Sequence, residues 1–258
     1  MVLITYNQKS FHMDDTLHRE LKKMKEQVLV HNDMGVVLID GRPGSGKSTL
    51  ASQVAFFLTD GKFSVDYESF NQRQTFDIMR KMKEGDCCII DESFDVINKR
   101  TSQTSANMLT INMLQQMRSR KVFILILLPS FYDLDKNVSL WLASALLHCY
   151  RSPEPLGKRG QYVAYDIEGI QKLWLYGRQS YSYSLKIVQP NFRARFTKYF
   201  PIDYKKYEKM KKKALTEEPK EKTETSRYYQ QRNILMKELK DSGVSVSDIS
   251  KKMGLRER

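Results

Sequence analysis

Long apolar runs are absent from this sequence. The longest, residues 122–128, has seven residues, whereas a helix needs about 20 apolar residues to cross a bilayer. Residues 1–15 are polar and mixed in charge, so they do not have the pattern of a secretory signal. These absences predict a cytoplasmic protein without a membrane span.

Cysteine is scarce as well. Cys87, Cys88 and Cys149 are the three cysteines of the chain, an odd number without the spacing of metal ligands. Because Cys87 and Cys88 lead into an apolar segment, we expect buried thiols in a reducing compartment and no disulfide framework.

Acidic residues are outnumbered by basic ones. The chain has 43 Lys and Arg against 30 Asp and Glu, which gives a formal net charge of +13. Such a surplus favours an anionic macromolecule as a partner, and we expect that partner to be DNA. A basic surface that serves solubility alone is the other explanation.

One glycine-rich motif is present, at residues 41–49. It matches the phosphate-binding loop pattern G-x-x-x-x-G-K-[ST]. The apolar segment 36–40 precedes it, and residues 50–58 place apolar side chains at helical spacing. A strand, a glycine-rich turn and a helix in this order direct backbone N–H groups and a helix N-terminus at a phosphate. The motif therefore predicts a nucleotide site, with ATP as the ligand.

Each type of residue in the motif has a role in this prediction. Lys47 would meet the β- and γ-phosphates during catalysis, and the hydroxyl of Ser48 would bind Mg²⁺. Gly44 and Gly46 would let the backbone approach the anion closely. The residues expected to bind the nucleotide are Gly41, Arg42, Pro43, Gly44, Ser45, Gly46, Lys47, Ser48 and Thr49.

A second motif follows at residues 87–92, where an apolar segment runs into two acidic residues. This is the form of a Walker B motif, a strand that ends in a metal-binding carboxylate. Asp91 would hold Mg²⁺ beside Ser48, and Glu92 would polarise a water for attack on the γ-phosphate. A second acidic residue favours hydrolysis over a kinase, since a kinase has to exclude water.

Residues 122–128 have the length and β-branching of a buried central strand. Pro129 and Ser130 follow it, and Ser130 is the candidate for a catalytic residue that senses the γ-phosphate. A turn that merely ends the strand is the alternative. His148 is more simply explained as a packed side chain than as a catalytic one.

Several further segments have a local pattern. A helix is predicted for residues 14–31, where apolar residues are spaced by four, three and four. We also expect a strand at 63–67, helices at 72–84 and 141–147, and an antiparallel group of strands at 161–165, 172–176 and 181–188.

The C-terminal third is more basic than the rest. Residues 204–215 predict a basic helix, and a charged segment up to residue 225 predicts a linker. Residues 226–258 resemble the first two helices of a helix-turn-helix unit, and the sequence ends where a DNA-reading helix would begin. Such a unit fits either DNA contact or docking of a protein partner.

With these motifs, residues 30–151 resemble the additional-strand P-loop ATPases, and within them the FtsK/HerA group, which includes phage Zot-like and packaging-type ATPases. The resemblance implies a three-layer α/β sandwich whose parallel strands have the order 5-1-4-3-2. It also implies a homo-oligomer in which an arginine from a neighbour completes each site, and Arg118, Arg120 and Arg151 are the candidates. The chain departs from the group at the end of the sensor strand, where Pro129 and Ser130 replace the usual Gln, and it lacks a Zot-like membrane span.

These expectations divide the chain into an ATPase core at 1–152, a small β-rich extension at 153–203, a basic helix and linker at 204–225 and a helical unit at 226–258. The first functional hypothesis is a DNA motor or packaging-type ATPase of a virus or mobile element. The second is a DNA-binding ATPase switch, such as a helicase loader or partner recruiter, and the third is a small-molecule P-loop kinase.

Overall fold

A seven-stranded sheet is the centre of the fold. The computed structural model describes residues 1–91, 114–134, 136–152, 157–183, 186 and 188–216. The chain divides into two compact units, Met1–Ala214 and Leu215–Arg258. The predicted linker, the helix-turn-helix-like unit at 226–258 and Glu92 lie outside the described residues. No helix in the described part of the chain combines the length and apolar character that a bilayer crossing requires.

The sheet has both parallel and antiparallel parts. A separate antiparallel hairpin precedes it, formed by β1 (Val2–Tyr6) and β2 (Lys9–Met13). The strands of the main sheet are β3 (Gly35–Asp40), β4 (Glu68–Ser69), β5 (Cys87–Ile90), β6 (Phe123–Leu128), β7 (Ala145–Tyr150), β8 (Gln161–Tyr165) and β9 (Phe192–Arg195).

From edge to edge the order is β4-β5-β6-β3-β7-β8-β9. The first five strands are parallel, and β8 and β9 join them in antiparallel fashion. When the five parallel strands are numbered along the chain, they read 5-1-4-3-2, the order that the resemblance implies. The strand β6 therefore lies between the loop strand β3 and the Walker B strand β5.

Helices cover both faces of the sheet. They are α1 (Asp15–Val30), α2 (Lys47–Leu58), α3 (Gln72–Lys81), α4 (Ile167–Gly177) and α5 (Tyr204–Thr216). One core contains buried residues of α1 and α2 together with the hairpin, and the other contains residues of α3 and α4. Since side chains alternate along a strand, β3 sends Val37 and Ile39 into the first core and Val36 and Leu38 into the second.

The predicted helix at 14–31 is confirmed, as α1. Asp14 caps it, because its carboxylate accepts hydrogen bonds from the backbone N–H groups of Thr16 and Leu17. Leu17, Leu21 and Val28 are buried, as the spacing of apolar residues predicts. The predicted basic helix at 204–215 is also present, as α5.

Several local predictions were wrong. The predicted strand at 63–67 contains instead a 3-10 turn, Val65–Tyr67, and the strand β4 comes just after it. The predicted helix at 141–147 is replaced by a π-helical turn, Val138–Leu142, followed by β7. A short apolar run does not distinguish a helix from a fully buried strand, and here β7 is covered on both faces.

The third error is the predicted strand at 172–176, which lies within α4. Asp166 caps this helix through its contact with the Gly169 N–H, and Ile170, Leu173 and Trp174 are buried at helical spacing. Residues 181–183, 186 and 188 contain no strand either. The strands β8 and β9 extend the main sheet and do not form a separate meander.

Candidate nucleotide-binding site

The predicted phosphate-binding loop connects β3 to α2 at the carboxyl edge of the parallel strands. β3 ends at Asp40, α2 begins at Lys47, and Gly46 caps the helix in a left-handed conformation with φ +102. A Cβ atom at Gly46 would lie 2.8 Å from Cζ of Phe196. Glycine is therefore required there both for its backbone angle and for its lack of a side chain.

Lys47 contacts the backbone of this loop through its side-chain nitrogen. Its Nζ donates hydrogen bonds to the carbonyl oxygens of Gly41 at 2.6 Å and Arg42 at 3.4 Å. Burial of the side chain lowers the pKa of Lys47, while the neighbouring Asp91 and Asp40 act in the opposite direction. The ammonium group thus lies where the motif predicts a contact with phosphate.

Asp91 and Ser48 come together, as the two motifs predict for a Mg²⁺ site. The hydroxyl of Ser48 lies 3.4 Å from Oδ2 of Asp91. Asp91 is nearly fully buried, and its Oδ2 also accepts hydrogen bonds from the Tyr207 hydroxyl at 2.9 Å and from Lys211 Nζ at 3.0 Å. Two side chains of α5 therefore reach the carboxylate that was assigned to the metal.

Glu68 is a further acidic residue on this side of the sheet. It is buried, and neither of its carboxyl oxygens has a hydrogen-bond partner among the described residues. Burial raises the pKa of Glu68 to about 8; the charge of Asp91 contributes in the same direction, and that of Lys211 opposes it.

Sequence reasoning missed Glu68, Tyr207 and Lys211 as members of the site. The one available signal was the spacing of four between Tyr207 and Lys211, which places both on one face of the predicted helix. Nothing in the local sequence of Glu68 distinguishes it from a surface carboxylate.

Asp40 joins the ends of three strands next to the phosphate-binding loop. Its Oδ1 lies 2.9 Å from Nδ1 of His148, and its Oδ2 accepts hydrogen bonds from the Phe131 N–H at 3.0 Å and from the Tyr183 hydroxyl. His148 stacks on Tyr183 with ring centroids 3.8 Å apart. His148 is thus a packed side chain, in agreement with the sequence-based interpretation.

Ser130, the predicted sensor, lies beside this cluster. Its Oγ accepts a hydrogen bond from the Tyr132 N–H at 3.3 Å and is 3.3 Å from the Tyr183 hydroxyl. These contacts are those of a residue that ends a strand in a turn, the alternative weighed for Ser130. A role in sensing the γ-phosphate stays a prediction.

The three arginine candidates lie in different places. Arg151 Nη2 donates to the Gly44 carbonyl oxygen at 3.2 Å, so this arginine contacts the loop of its own chain. Arg118 pairs with Asp33 at 3.4 Å, and Arg120 donates to the Met79 carbonyl oxygen at 3.0 Å. Arg118 and Arg120 precede β6 and so lie towards the amino edge of the parallel sheet. Which of the three acts on a neighbouring subunit stays a prediction.

Two adjoining cavities open at the loop. The first has a volume of about 570 Å³ and is lined by loop residues, Asp91 and the α5 side chains Tyr204, Tyr207 and Lys211. The second, of about 900 Å³, shares Gly46 with the first and adds Phe196 and basic residues. Together they offer a polar end at the phosphate-binding loop and a partly aromatic end beyond it.

The chemistry of these residues fits Mg²⁺ with a nucleotide. The described residues contain no cluster of three His, Cys, Asp or Glu side chains that could hold a metal ion. Mg²⁺ does not need one, because it is commonly bound by one or two protein oxygens together with phosphate oxygens and water. The Ser48 hydroxyl and the Asp91 carboxylate are suitable protein ligands.

Comparison with known proteins gives structural likenesses only. No protein-family model matches the sequence, and no curated protein is detectably similar to it. The N-terminal domain of zonular occludens toxin from Neisseria meningitidis is 18% identical, with a TM-score of 0.42, over 68% of this chain and 98% of that one.

A second solved structure is the genome packaging NTPase B204 from Sulfolobus turreted icosahedral virus 2 in complex with ATP-gammaS. It is 17% identical, with a TM-score of 0.37, over 54% of this chain and 94% of that one. At this level of similarity, the function of the present chain has to be inferred from its own residues.

Proposed function

We propose that this chain is an ATPase that binds ATP with Mg²⁺, hydrolyses the γ-phosphate and acts on DNA as a motor or packaging-type enzyme. The observation that carries the proposal is the meeting of Ser48 and Asp91 at 3.4 Å beside the phosphate-binding loop. Two separate motifs, more than 40 residues apart, supply the two ligand types that a magnesium nucleotide requires.

The side chains and the backbone of the site have separate roles. Lys47 and the backbone N–H groups at the start of α2 bind the phosphates, and Ser48 and Asp91 hold the metal. Bound Mg²⁺ would neutralise negative charge on the phosphate oxygens. Glu92, the residue after Asp91, is proposed to orient and polarise the attacking water, a role that needs a carboxylate within hydrogen-bond reach of that water.

The second cavity fits the nucleoside part of the ligand. Phe196 lies against Gly46, and Tyr204 lines both cavities. An aromatic ring next to the phosphate-binding loop offers a stacking surface for a base. Arg159, which also lines both cavities, adds a positive charge that suits the phosphate chain.

Contact with DNA is proposed for the basic surface that follows the ATPase core. Arg193 and Arg195 are exposed on β9, and Lys205, Lys209 and Lys212 are exposed on α5. Lysine and arginine side chains on adjacent elements can neutralise DNA phosphates regardless of base sequence.

The alternative is an ATPase switch that binds DNA or a protein without moving along DNA. The contacts of Tyr207 and Lys211 with Asp91 favour it, because they connect a basic helix directly to the metal carboxylate. Movement of this helix with nucleotide state would then change the affinity for a partner.

The test is the ATPase rate of the full chain measured alone, with double-stranded DNA and with single-stranded DNA. We expect Mg²⁺-dependent hydrolysis that DNA stimulates and that Lys47→Ala abolishes. A translocation assay on a roadblocked duplex separates the motor from the switch. Phosphate transfer to a small molecule without DNA stimulation would indicate a kinase instead.

A further inference from the structure

The helix α5 is anchored at the metal carboxylate by a buried tyrosine. Tyr207 packs against Phe200 and Phe70, with ring centroids 5.2 and 5.9 Å away, and donates its hydroxyl hydrogen bond to Asp91. Lys211 is one turn further along the helix and adds its ammonium group to the same oxygen. The tyrosine is thus held by packing, whereas the lysine, with a side chain 26% exposed, has room to move.

Glu68 faces the same region from the sheet. In the parallel ladder Glu68 is the partner of Ile89, and side chains of partner residues point to the same face. Asp91 is two residues beyond Ile89, so Glu68 and Asp91 share that face. A buried carboxyl group without a hydrogen-bond partner is uncommon and calls for an explanation.

We propose that Lys211 is a positioning residue of the metal site and that Glu68 is its second partner. Lys211 neutralises Asp91 whenever no metal ion is bound to that carboxylate. When Asp91 binds a divalent cation with the nucleotide, the ammonium group of Lys211 moves to Glu68. This inference rests on the proposed function, because it concerns the same Mg²⁺-nucleotide site.

The exchange follows from charge and geometry. Lys211 Nζ and a metal ion cannot both bind Oδ2 of Asp91 closely, since two cations at such a distance repel each other strongly. Lysine has a flexible four-carbon side chain and a charge that can turn to a new acceptor while the helix stays in place. Glu68 is a buried acidic side chain whose oxygens have no hydrogen-bond partner among the described residues, and the charge of Lys211 already acts on it.

A purely structural ion pair would leave Glu68 unexplained. Asp91 is already contacted by Ser48, Tyr207 and Lys211, and a carboxyl group buried beside them without a partner would then only destabilise the protein. A second position for the ammonium group gives Glu68 a partner in the nucleotide-bound state. The same exchange would make the position of the Lys211 side chain on α5 depend on whether the metal ion is bound.

The experiment measures binding of a fluorescent ATP analogue by the full chain at a series of Mg²⁺ concentrations. Lys211→Met removes the competing cation, so we expect the half-saturating Mg²⁺ concentration to fall at least about fivefold, the lower end of usual coupling between sites. Glu68→Gln removes a carboxyl group that can release its proton to solvent when the ammonium group arrives, and it should raise that concentration by a similar factor. Lys172→Met, an exposed lysine of α4 outside both the nucleotide site and the basic surface, should leave it unchanged.

The double variant distinguishes exchange from two independent effects. If Glu68 acts only through Lys211, then Glu68→Gln has no further effect in the Lys211→Met background, and the two changes are strongly non-additive. Additive effects overturn the role of Glu68, and an unchanged Mg²⁺ dependence in Lys211→Met overturns the whole inference. Should Glu68→Gln fail to fold by circular dichroism, the Lys211→Met result decides.

Failure of the proposed function has a different signature. A wild-type chain that binds no ATP analogue at any Mg²⁺ concentration overturns both proposals. Binding that Lys47→Ala abolishes, with the same Mg²⁺ dependence in all the Lys211 and Glu68 variants, supports the nucleotide site and overturns only the exchange.

Discussion

The phosphate-binding loop needs glycine at position 41 for two independent reasons. The residue has φ +135, a value that side-chain-bearing residues rarely adopt, and a Cβ atom would lie 2.1 Å from the carbonyl oxygen of Cys149. This oxygen belongs to the backbone of β7, which is paired with β3 on one side and β8 on the other. The sheet therefore has little freedom to move away from a side chain at this position.

Gly41→Ala should lower the free energy of unfolding by about 3 kcal/mol or more, because backbone strain and overlap with β7 add together. Gly85→Ala is the matched control. Gly85 also has a positive φ, +81, but its Cβ atom would meet nothing closer than Leu29 at 3.9 Å. We expect a cost of about 1 kcal/mol there. Urea denaturation measures the free energy of unfolding of both variants. Equal losses in the two variants would contradict the role assigned to β7.

Glu92→Gln should retain binding of ATP and Mg²⁺ but slow hydrolysis by about a hundredfold or more, because the amide keeps the shape and loses the base. Equilibrium binding of an ATP analogue and single-turnover hydrolysis measure the two steps separately. Lys47→Ala, which should lose binding itself, is the comparison. Turnover at the wild-type rate would place the base elsewhere, with Asp95 as the next candidate.

At the scale of the elements, the motifs predicted the centre of the sheet and the phosphate-binding loop well because each motif is local. Residues 36–39 and 122–128 are apolar over most of a strand, and the structure places both in the centre of the sheet. The patterns failed where burial on both faces removed the periodicity, as in β7, and where aromatic residues of α4 suggested a strand.

Only the part of the candidate site that lies in the two motifs could be predicted from the sequence. Ser48 and Asp91 are found from their motifs, and the order of the strands brings them together. Tyr207 and Lys211 reach Asp91 from 116 and 120 residues away. A contact of this kind depends on how α5 packs on the sheet, and no local sequence pattern predicts it.

The ends of β3, β6 and β7 are held together by Asp40, and Tyr183 contributes to this connection. Tyr183→Phe removes a hydrogen bond to a buried carboxylate and should lower the free energy of unfolding by about 1.5–3 kcal/mol. Tyr181→Phe removes the contact of an exposed hydroxyl with Asp133, and we expect a loss of about 0.5 kcal/mol or less. Urea denaturation compares the two variants, and similar losses would show that the Asp40 cluster contributes little to stability.

At the scale of the whole molecule, the sheet separates two apolar cores, and the cysteines lie in them. Cys87 and Cys149 belong to one core and Cys88 to the other, and all three are buried. Burial raises the pKa of each of these thiols, so the reactive thiolate form is suppressed.

The native protein should therefore react slowly with a thiol reagent such as DTNB at pH 8. In denaturant all three thiols should react at the rate of free cysteine. Fast reaction of a single thiol in the native state would show that one of the two cores opens readily. An ATP-dependent change in that rate would connect the opening to the nucleotide site.

The basic charge of the molecule is concentrated in one part of the chain. Residues 178–213 contain eleven Lys and Arg but only two Asp and Glu, so this part supplies most of the net charge of +13. It includes the exposed arginines of β9 and the lysines of α5. Binding to DNA through such a surface releases counterions in proportion to the number of phosphates contacted.

DNA affinity should consequently fall by about a hundredfold between 50 and 200 mM salt, as expected for about four phosphate contacts. A chain shortened to residues 1–216 keeps β9 and α5, and we expect it to retain most of this affinity and the same salt dependence. Fluorescence anisotropy with a labelled duplex measures both quantities. The full chain with Lys205, Lys209 and Lys212 changed to Gln is the complementary variant, and it should bind more weakly with a shallower salt dependence. If the shortened chain loses binding while the lysine variant keeps it, the DNA contact lies in residues 217–258, and the charge of α5 serves the nucleotide site and solubility instead.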